Sequence, residues 1–332
     1  MKKYILPVFI TLFTIIIVVK YIPFSQIPYI PTMIAPLGIL IGLVLYLLSY
    51  MLIAARWKIL FGEGQKRKYP FSPILLLLIT GSHQFYANFL PARTGDLTIL
   101  YLAKKHLNIE SPRGMTSLII ARSLDIVVLG MLSISFMAWQ HQNIKLLNAS
   151  SIIFVLCLIG LPVLGILSVI LWGGKIASWL EHPVGHYLTA RGWMELNRLF
   201  RFLSETMKTL HERKSWIFYM KCLGLSILLI VVRVCLFSAF ILHSRHPVPL
   251  TAAPLIGLCT LLAALIPLQG FLGLGTFEAG WVLGYVLAGL SPEEGLITAV
   301  NAHLLIIVFI VSVGSLSNFI LLKTRSTLGA CP

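Results

Sequence analysis

Apolar residues in this chain come in long unbroken runs rather than in alternation with polar ones. A helix needs about 20 such residues to cross the hydrocarbon layer of a membrane. Runs of that kind cover residues 4–22, 34–55, 115–138, 150–172, 217–242 and 299–322, and each predicts a full transmembrane helix. Two further apolar stretches are interrupted. Residues 71–103 run apolar to Phe89, break at Pro91-Ala-Arg-Thr-Gly-Asp96, then resume for barely two turns. Residues 250–290 break in the same way between Pro267 and Thr276. Each half is short for a crossing, so each stretch is predicted to be a re-entrant hairpin. A transmembrane β-barrel is excluded, because barrel strands are short and alternate. Residues 175–215 differ from both patterns: Trp179, Trp193, Leu196, Leu199, Phe200, Leu203 and Leu210 mix with Arg191, Arg198, Arg201 and Lys208. That spacing predicts a basic amphipathic helix on the cytoplasmic membrane surface. The expected fold is all-α: one integral membrane domain over residues 1–332, with about six full spans and two broken hairpins.

Composition agrees. The chain is 58% hydrophobic and 11% charged, against about 25% charged in an average soluble domain, and its mean hydropathy is +0.92. The bundle and its connections use nearly all of the 332 residues, leaving no segment for a separate soluble catalytic domain. The net charge of +15 would suggest a nucleic-acid partner in a soluble protein, but no module of that kind is present and none is expected to bind here. Basic residues instead report topology. If the first hairpin enters from the cytoplasm and the second from outside, 20 of the 26 Lys and Arg residues face the cytoplasm. Three lie outside (Lys20, Lys145, Arg245) and three in the membrane. Both termini are then cytoplasmic, in a cytoplasmic (inner) cell membrane. A first hairpin that crossed fully would carry Lys104, Lys105 and Arg113 outside, against the positive-inside bias. Hairpins entering from opposite faces suggest an inverted relation between the halves, as in transporter folds, although no residue-level repeat is evident. Met1-Lys2-Lys3 before an apolar run resembles a signal sequence, but Lys20, Tyr21 and Pro23 follow in place of a small-residue cleavage site. An uncleaved first span is expected.

Six charged residues fall inside the apolar stretches: Arg93, Asp96, Arg122, Asp125, Arg233 and Glu278. Each would cost about 3 kcal/mol on a lipid-facing helix, and together more than the ~5–15 kcal/mol stability of a typical protein. They are three of each sign, so they are expected to compensate one another around an interior, wet cavity. The first break reads Asn88-Phe-Leu-Pro-Ala-Arg93-Thr-Gly95-Asp96. Pro91 lacks an N–H and Gly95 permits positive φ, so the chain can turn there. Arg93 offers donors suited to a phosphate or carboxylate; the alternative is that Arg93 and Asp96 pair and hold the turn. Arg122-Ser-Leu-Asp125 repeats the Arg-x-x-Asp spacing in the less favourable local order. Cross-pairing of Arg93 with Asp125, or of Arg122 with Asp96, is therefore open, as is a purely structural quartet. In the second break Thr276 is expected to cap the returning half-helix, with Glu278 in its first turn as a gate or a salt-bridge partner for Arg233 rather than a catalytic base. No G-K-[ST] follows, which excludes a phosphate-binding P-loop. Arg56-Trp57 reads as a snorkelling arginine beside an interfacial tryptophan. His83, Asn301 and His303 read as satisfied buried polar groups that could also line the cavity. His182/His186 and His243/His246 lack a third metal ligand, and Cys157, Cys222, Cys235, Cys259 and Cys331 are scattered, so no metal and no cofactor is expected.

These pieces together resemble a known family. Arg-x-Trp after the second span, Asn-x-Leu-Pro-Ala-Arg-x-Gly-Asp in the first break, Arg-x-x-Asp soon after and a late Gly-Leu-Gly-x-x-Glu are similar to the lysylphosphatidylglycerol synthase transmembrane family, the flippase-like integral membrane domain. The likeness runs through the whole chain in order, and Leu90 to Asp96 is its most specific part. The chain departs where the family often has Glu-Arg: Ala121 stands in the Glu place and Ser123 follows Arg122. Its second break is also looser than the usual Pro-Gly-Gly-Leu-Gly. In the multiple-peptide-resistance proteins a soluble aminoacyltransferase domain follows the membrane domain. These 332 residues contain none, and synthesis of aminoacyl-lipid by this chain alone is not expected.

The resemblance and the embedded charges imply a flippase-like protein, not an enzyme, that binds or translocates a lipid with an anionic headgroup. The expected substrate-binding residues are Asn88, Arg93, Asp96, Arg122, Asp125, Arg233 and Glu278, and the expected partners are membrane lipids. The alternative is a membrane enzyme or accessory subunit in phospholipid or polyprenyl-linked glycolipid synthesis, for which Asp96 and Asp125 would be the carboxylates. A channel fits less well, because the embedded charges are of mixed sign. Runs of Leu and Ile permit a homodimer without requiring one.

Overall fold

A computed structural model describes residues 34–62, 71–139, 194–213, 215–246, 248–266 and 270–328, together with Ser168, Trp172 and Lys175. The predicted spans at 4–22 and, but for Ser168 and Trp172, at 150–172 lie outside these residues, as do 176–193 of the amphipathic segment. The described residues form nine α-helices and two short 3-10 segments, with no strand beyond an isolated bridge between Ile34 and Ser244. In chain order the helices are α1 Pro36–Gly62, α2 Pro73–Phe89, α3 Thr98–Leu107, α4 Ser111–Trp139, α5 Met194–Glu212, α6 Trp216–Leu242, α7 Ala252–Ala263, α8 Thr276–Leu287 and α9 Pro292–Leu328.

Four of these, α1, α4, α6 and α9, are long and apolar enough to cross a membrane. The 27 residues of α1 reach about 40 Å at 1.5 Å per residue, more than the ~30 Å hydrocarbon core. Their outer faces carry Leu40, Val44, Met51, Leu228, Val231, Val308, Leu316 and Phe319, all exposed. Such stripes would be a liability in water and are the expected surface against lipid. The fold is thus an all-α membrane bundle.

Between these spans sit two broken pairs. Ser72 and Pro73 start α2, with the Ser72 hydroxyl accepting from the Leu75 N–H. The helix stops at Phe89, the 3-10 segment Pro91–Leu97 follows, and α3 resumes. In the second pair α7 and α8, each of 12 residues, flank the 3-10 turn Phe271–Gly273. Twelve residues make only about 18 Å of helix, so neither can cross alone. The two breaks pack against each other. Helix α8 lies close on α7 because Gly280 and Gly284 present no side chain there: a methyl on Gly280 would come within 2.8 Å of the Thr260 backbone.

The apolar core divides accordingly. One part joins Ile53, Trp57, Phe61, Ile79, Ile99 and Ile120 of α1 to α4; the other joins Leu236, Phe240, Ile256, Trp281 and Tyr285 of α6 to α8. Trp57 is 3% exposed and stacks on Phe61 with centroids 5.1 Å apart. It is therefore a core residue and not the interfacial anchor expected from its place after the second span, because α1 continues five residues beyond it. Helix α5 is amphipathic as expected, exposing Arg198, Arg201, Glu205 and Lys208 while burying Ser204, Thr206 and Leu210. Its buried face docks on α4, where the Thr116 hydroxyl donates to the Thr206 carbonyl at 3.0 Å. The following Arg213 donates to the Leu60 carbonyl at 2.9 Å.

Candidate functional site

A cavity of about 210 Å³ opens between the two core regions, where the breaks meet. Tyr46, Ser49 and Tyr50 of α1 line it, with Gln84 and Asn88 of α2, Arg93 and Asp96 of the first break and Arg122 of α4. Arg233 of α6, Leu272, Gly273 and Thr276 of the second break, and His303 of α9 complete its polar wall. Residues far apart in sequence converge here because both breaks leave backbone and short side chains at the depth where the long helices pass.

The charges form an ordered chain. Arg56 holds Asp125 through both guanidinium nitrogens, Nη1 to Oδ1 and Nη2 to Oδ2, the second contact at 3.2 Å. Nη1 also donates to the Ser226 hydroxyl at 3.0 Å. Arg122 donates from Nη2 to Asp96 Oδ1 at 2.5 Å, and its Nη1 lies 3.9 Å from Asp125 Oδ2. Of the pairings left open by the sequence, Arg122 with Asp96 is therefore the one formed. Arg56 is 4% exposed and is no snorkelling anchor. The strong acid–base pair within the bundle is Arg56 with Asp125, which local spacing does not reveal. The available signal was the continuation of an apolar helix past Arg56 to Gly62, which places the arginine inside the bundle.

Arg93 and Arg233 differ from these two. Among the described residues neither has a carboxylate within ion-pair reach or a hydrogen-bond partner, and both guanidinium groups border the cavity. The expected pairing of Arg233 with Glu278 does not form. Glu278 instead accepts from the Gly275 N–H at 2.7 Å through Oε2, and its Oε1 is 2.6 Å from His303 Nδ1. His303 Nε2 lies 3.0 Å from the Leu272 carbonyl oxygen, and the ring stacks on Phe277 at 4.3 Å. A carbonyl can only accept, so Nε2 carries a proton, and a second proton lies between Nδ1 and Oε1. The pair is neutral overall and offers no free charge to a neighbour. Thr276 is not the cap either: Gly275, with φ of 93°, precedes the helix, and the Thr276 hydroxyl donates to the Gly273 carbonyl at 3.0 Å.

The backbone of the first break also departs from expectation. Gly95 has no positive φ; Arg93 does, at 54°. Glycine is required at 95 because the segment presses on the end of α2, where a methyl would overlap the Tyr86 carbonyl group and come within 2.6 Å of Ala87 Cα. The left-handed conformation of Arg93 is uncommon outside glycine and turns the side chain away from the path a regular helix would give it. Asn88 lines the cavity and ties back to its own helix, its Nδ2 donating to the Gln84 carbonyl at 2.8 Å. Asp125 borders the adjoining recess with Arg56, His83 and Arg233 rather than the main cavity.

The family model for the lysylphosphatidylglycerol synthase transmembrane region matches residues 4–314. The chain belongs to this family. It is thus a multi-pass membrane protein of a family linked to lipid synthesis or translocation. No curated protein and no solved structure matches it. Within this lysylphosphatidylglycerol synthase-type domain the two breaks and the arginine–aspartate chain are the features that build the cavity, and no cluster of metal ligands occurs among the described residues.

Proposed function

We propose that the protein is a flippase-like translocator that admits the anionic headgroup of a membrane lipid into the cavity between the two breaks. The observation that carries this reading is the pair of guanidinium groups, Arg93 and Arg233, that border the cavity without a carboxylate partner. A half-buried cation with no carboxylate in contact is costly, and an incoming phosphate offsets that cost through charge-assisted hydrogen bonds. Acyl chains would stay in lipid while the headgroup passes between the breaks, each flanked by half-helices of the type found at transporter binding sites. The excess of Lys and Arg in the connections supports a cytoplasmic membrane with both termini inside, and the apolar flanks of α1, α6 and α9 support lipid as the neighbour.

The alternative, chemistry on a lipid-linked substrate, has less support. Asp96 and Asp125, the carboxylates it would use, are each held by an arginine. Leaflet exchange of fluorescent lipids in liposomes carrying the purified protein tests the proposal. Exchange of phosphatidylglycerol is expected to exceed that of phosphatidylcholine and to fall by about tenfold or more with Arg93→Ala, the loss of one charged hydrogen-bonding group. Equal exchange with and without Arg93, or none for any lipid from folded protein, would overturn it.

A further inference from the structure

The charges around the cavity do not cancel. Arg122 and Arg56 are neutralised by Asp96 and Asp125, and Glu278 is taken up by His303 and the Gly275 N–H. Arg93 and Arg233 remain, a surplus of two positive charges. Among the described residues no other carboxylate comes within ion-pair reach of either arginine. Of the 11 Asp and Glu residues, the other eight lie in connections, in and next to the amphipathic helix α5 or at the start of α9, and the apolar runs at 4–22 and 150–172 contain none. Tyr46 and Gln84 line the same cavity, and among the described residues neither side chain makes a hydrogen bond.

From this imbalance, and resting on the reading of the cavity as a headgroup site, we infer that the preferred cargo ends in a phosphate monoester. Such a group carries nearly two negative charges at neutral pH and three strong acceptor oxygens. It answers two guanidinium groups and leaves acceptor capacity for Tyr46 and Gln84. A phosphodiester brings one charge and leaves one arginine uncompensated. A lysylated phosphodiester, with two amines and one phosphate, carries a net positive charge and adds to the surplus. The shared chemistry, a terminal phosphate, could come from a lipid such as phosphatidic acid or from free inorganic phosphate. The cavity, at about 210 Å³, admits a phosphate and part of its linker.

Equilibrium binding to the 332-residue chain in detergent tests this, using phosphatidic acid, phosphatidylglycerol, lysyl-phosphatidylglycerol and inorganic phosphate as probes. Phosphatidic acid is expected to bind about tenfold more tightly than phosphatidylglycerol, the effect of one more charge-assisted contact. Arg233→Gln should bring that ratio close to one, and Arg93→Gln serves as a second variant should Arg233→Gln fail to fold. Equal affinity for the two phospholipids, or tightest binding of the lysylated lipid, would overturn the inference. Inorganic phosphate bound as tightly as phosphatidic acid would keep the dianionic phosphate as the group recognised but overturn the lipid reading of the cavity. Tight phosphatidic acid binding without leaflet exchange in liposomes would leave this inference standing and remove the flippase.

Discussion

At the first break the chain carries charge outward, and at the second it turns charge back on itself. Pro91–Leu97 places Arg93 at the cavity and hands Asp96 to Arg122, 26 residues further on. The glycine-rich second break has one carboxylate, Glu278, and spends it on its own helix start and on His303. Both use one non-glycine residue in the left-handed region, Arg93 with φ of 54° and Leu272 with φ of 59°. The difference lies in what surrounds that residue. Gly273 and Gly275 relieve the second turn and let α8 begin at once, whereas the first turn is pressed against α2 and needs a distant arginine to balance it. One break thus leaves a positive charge at the cavity, and the other presents a neutral, hydrogen-bonded wall.

That contrast depends on the Arg56–Asp125 pair, which lets Arg122 serve Asp96. Asp125→Leu should therefore have the largest effect, lowering stability by about 3–5 kcal/mol because Arg56 is left buried without a counter-charge. Thermal unfolding in detergent measures it, and pairing the change with Arg56→Met should restore most of the loss. An Asp125 variant that melts like the parent would remove the pair from any role in shaping the first break. Gly95→Ala acts on the backbone approach instead. Forcing a methyl against Tyr86 and Ala87 should cost about 1–3 kcal/mol, the usual range for overpacking, read by the same melting curve. Glu278→Gln is the mildest, at about 1–2 kcal/mol for weakened charged hydrogen bonds. It should speed amide exchange over residues 270–278 and leave 91–97 unchanged. Faster exchange in both breaks would mean that they do not act independently.

Much of the architecture was legible in the chain. The apolar run at 115–138 is the helix Ser111–Trp139, and that at 217–242 is Trp216–Leu242. Both interruptions are helix breaks, because proline and clustered glycine act on the backbone locally, wherever the segment ends up. The site was legible only in part. Arg93, Asp96, Arg122 and Arg233 do gather at one cavity, but the partners of Asp125 and Glu278 were missed. Arg56 looked like a terminal anchor because hydropathy marks where an apolar run ends, and not where the helix ends. His303 is one of several polar residues in a 37-residue helix, and nothing local says that its ring faces Glu278.

Membrane class, helix content and the places where helices fail follow from apolar run length and backbone chemistry, both properties of neighbouring residues. Which arginine neutralises which aspartate, and which two are left without a carboxylate in contact, depends on the rotation and depth of helices that meet across the bundle. Arg56 and Asp125 are 69 positions apart, and their pairing exists only once α1, α4 and α6 have packed.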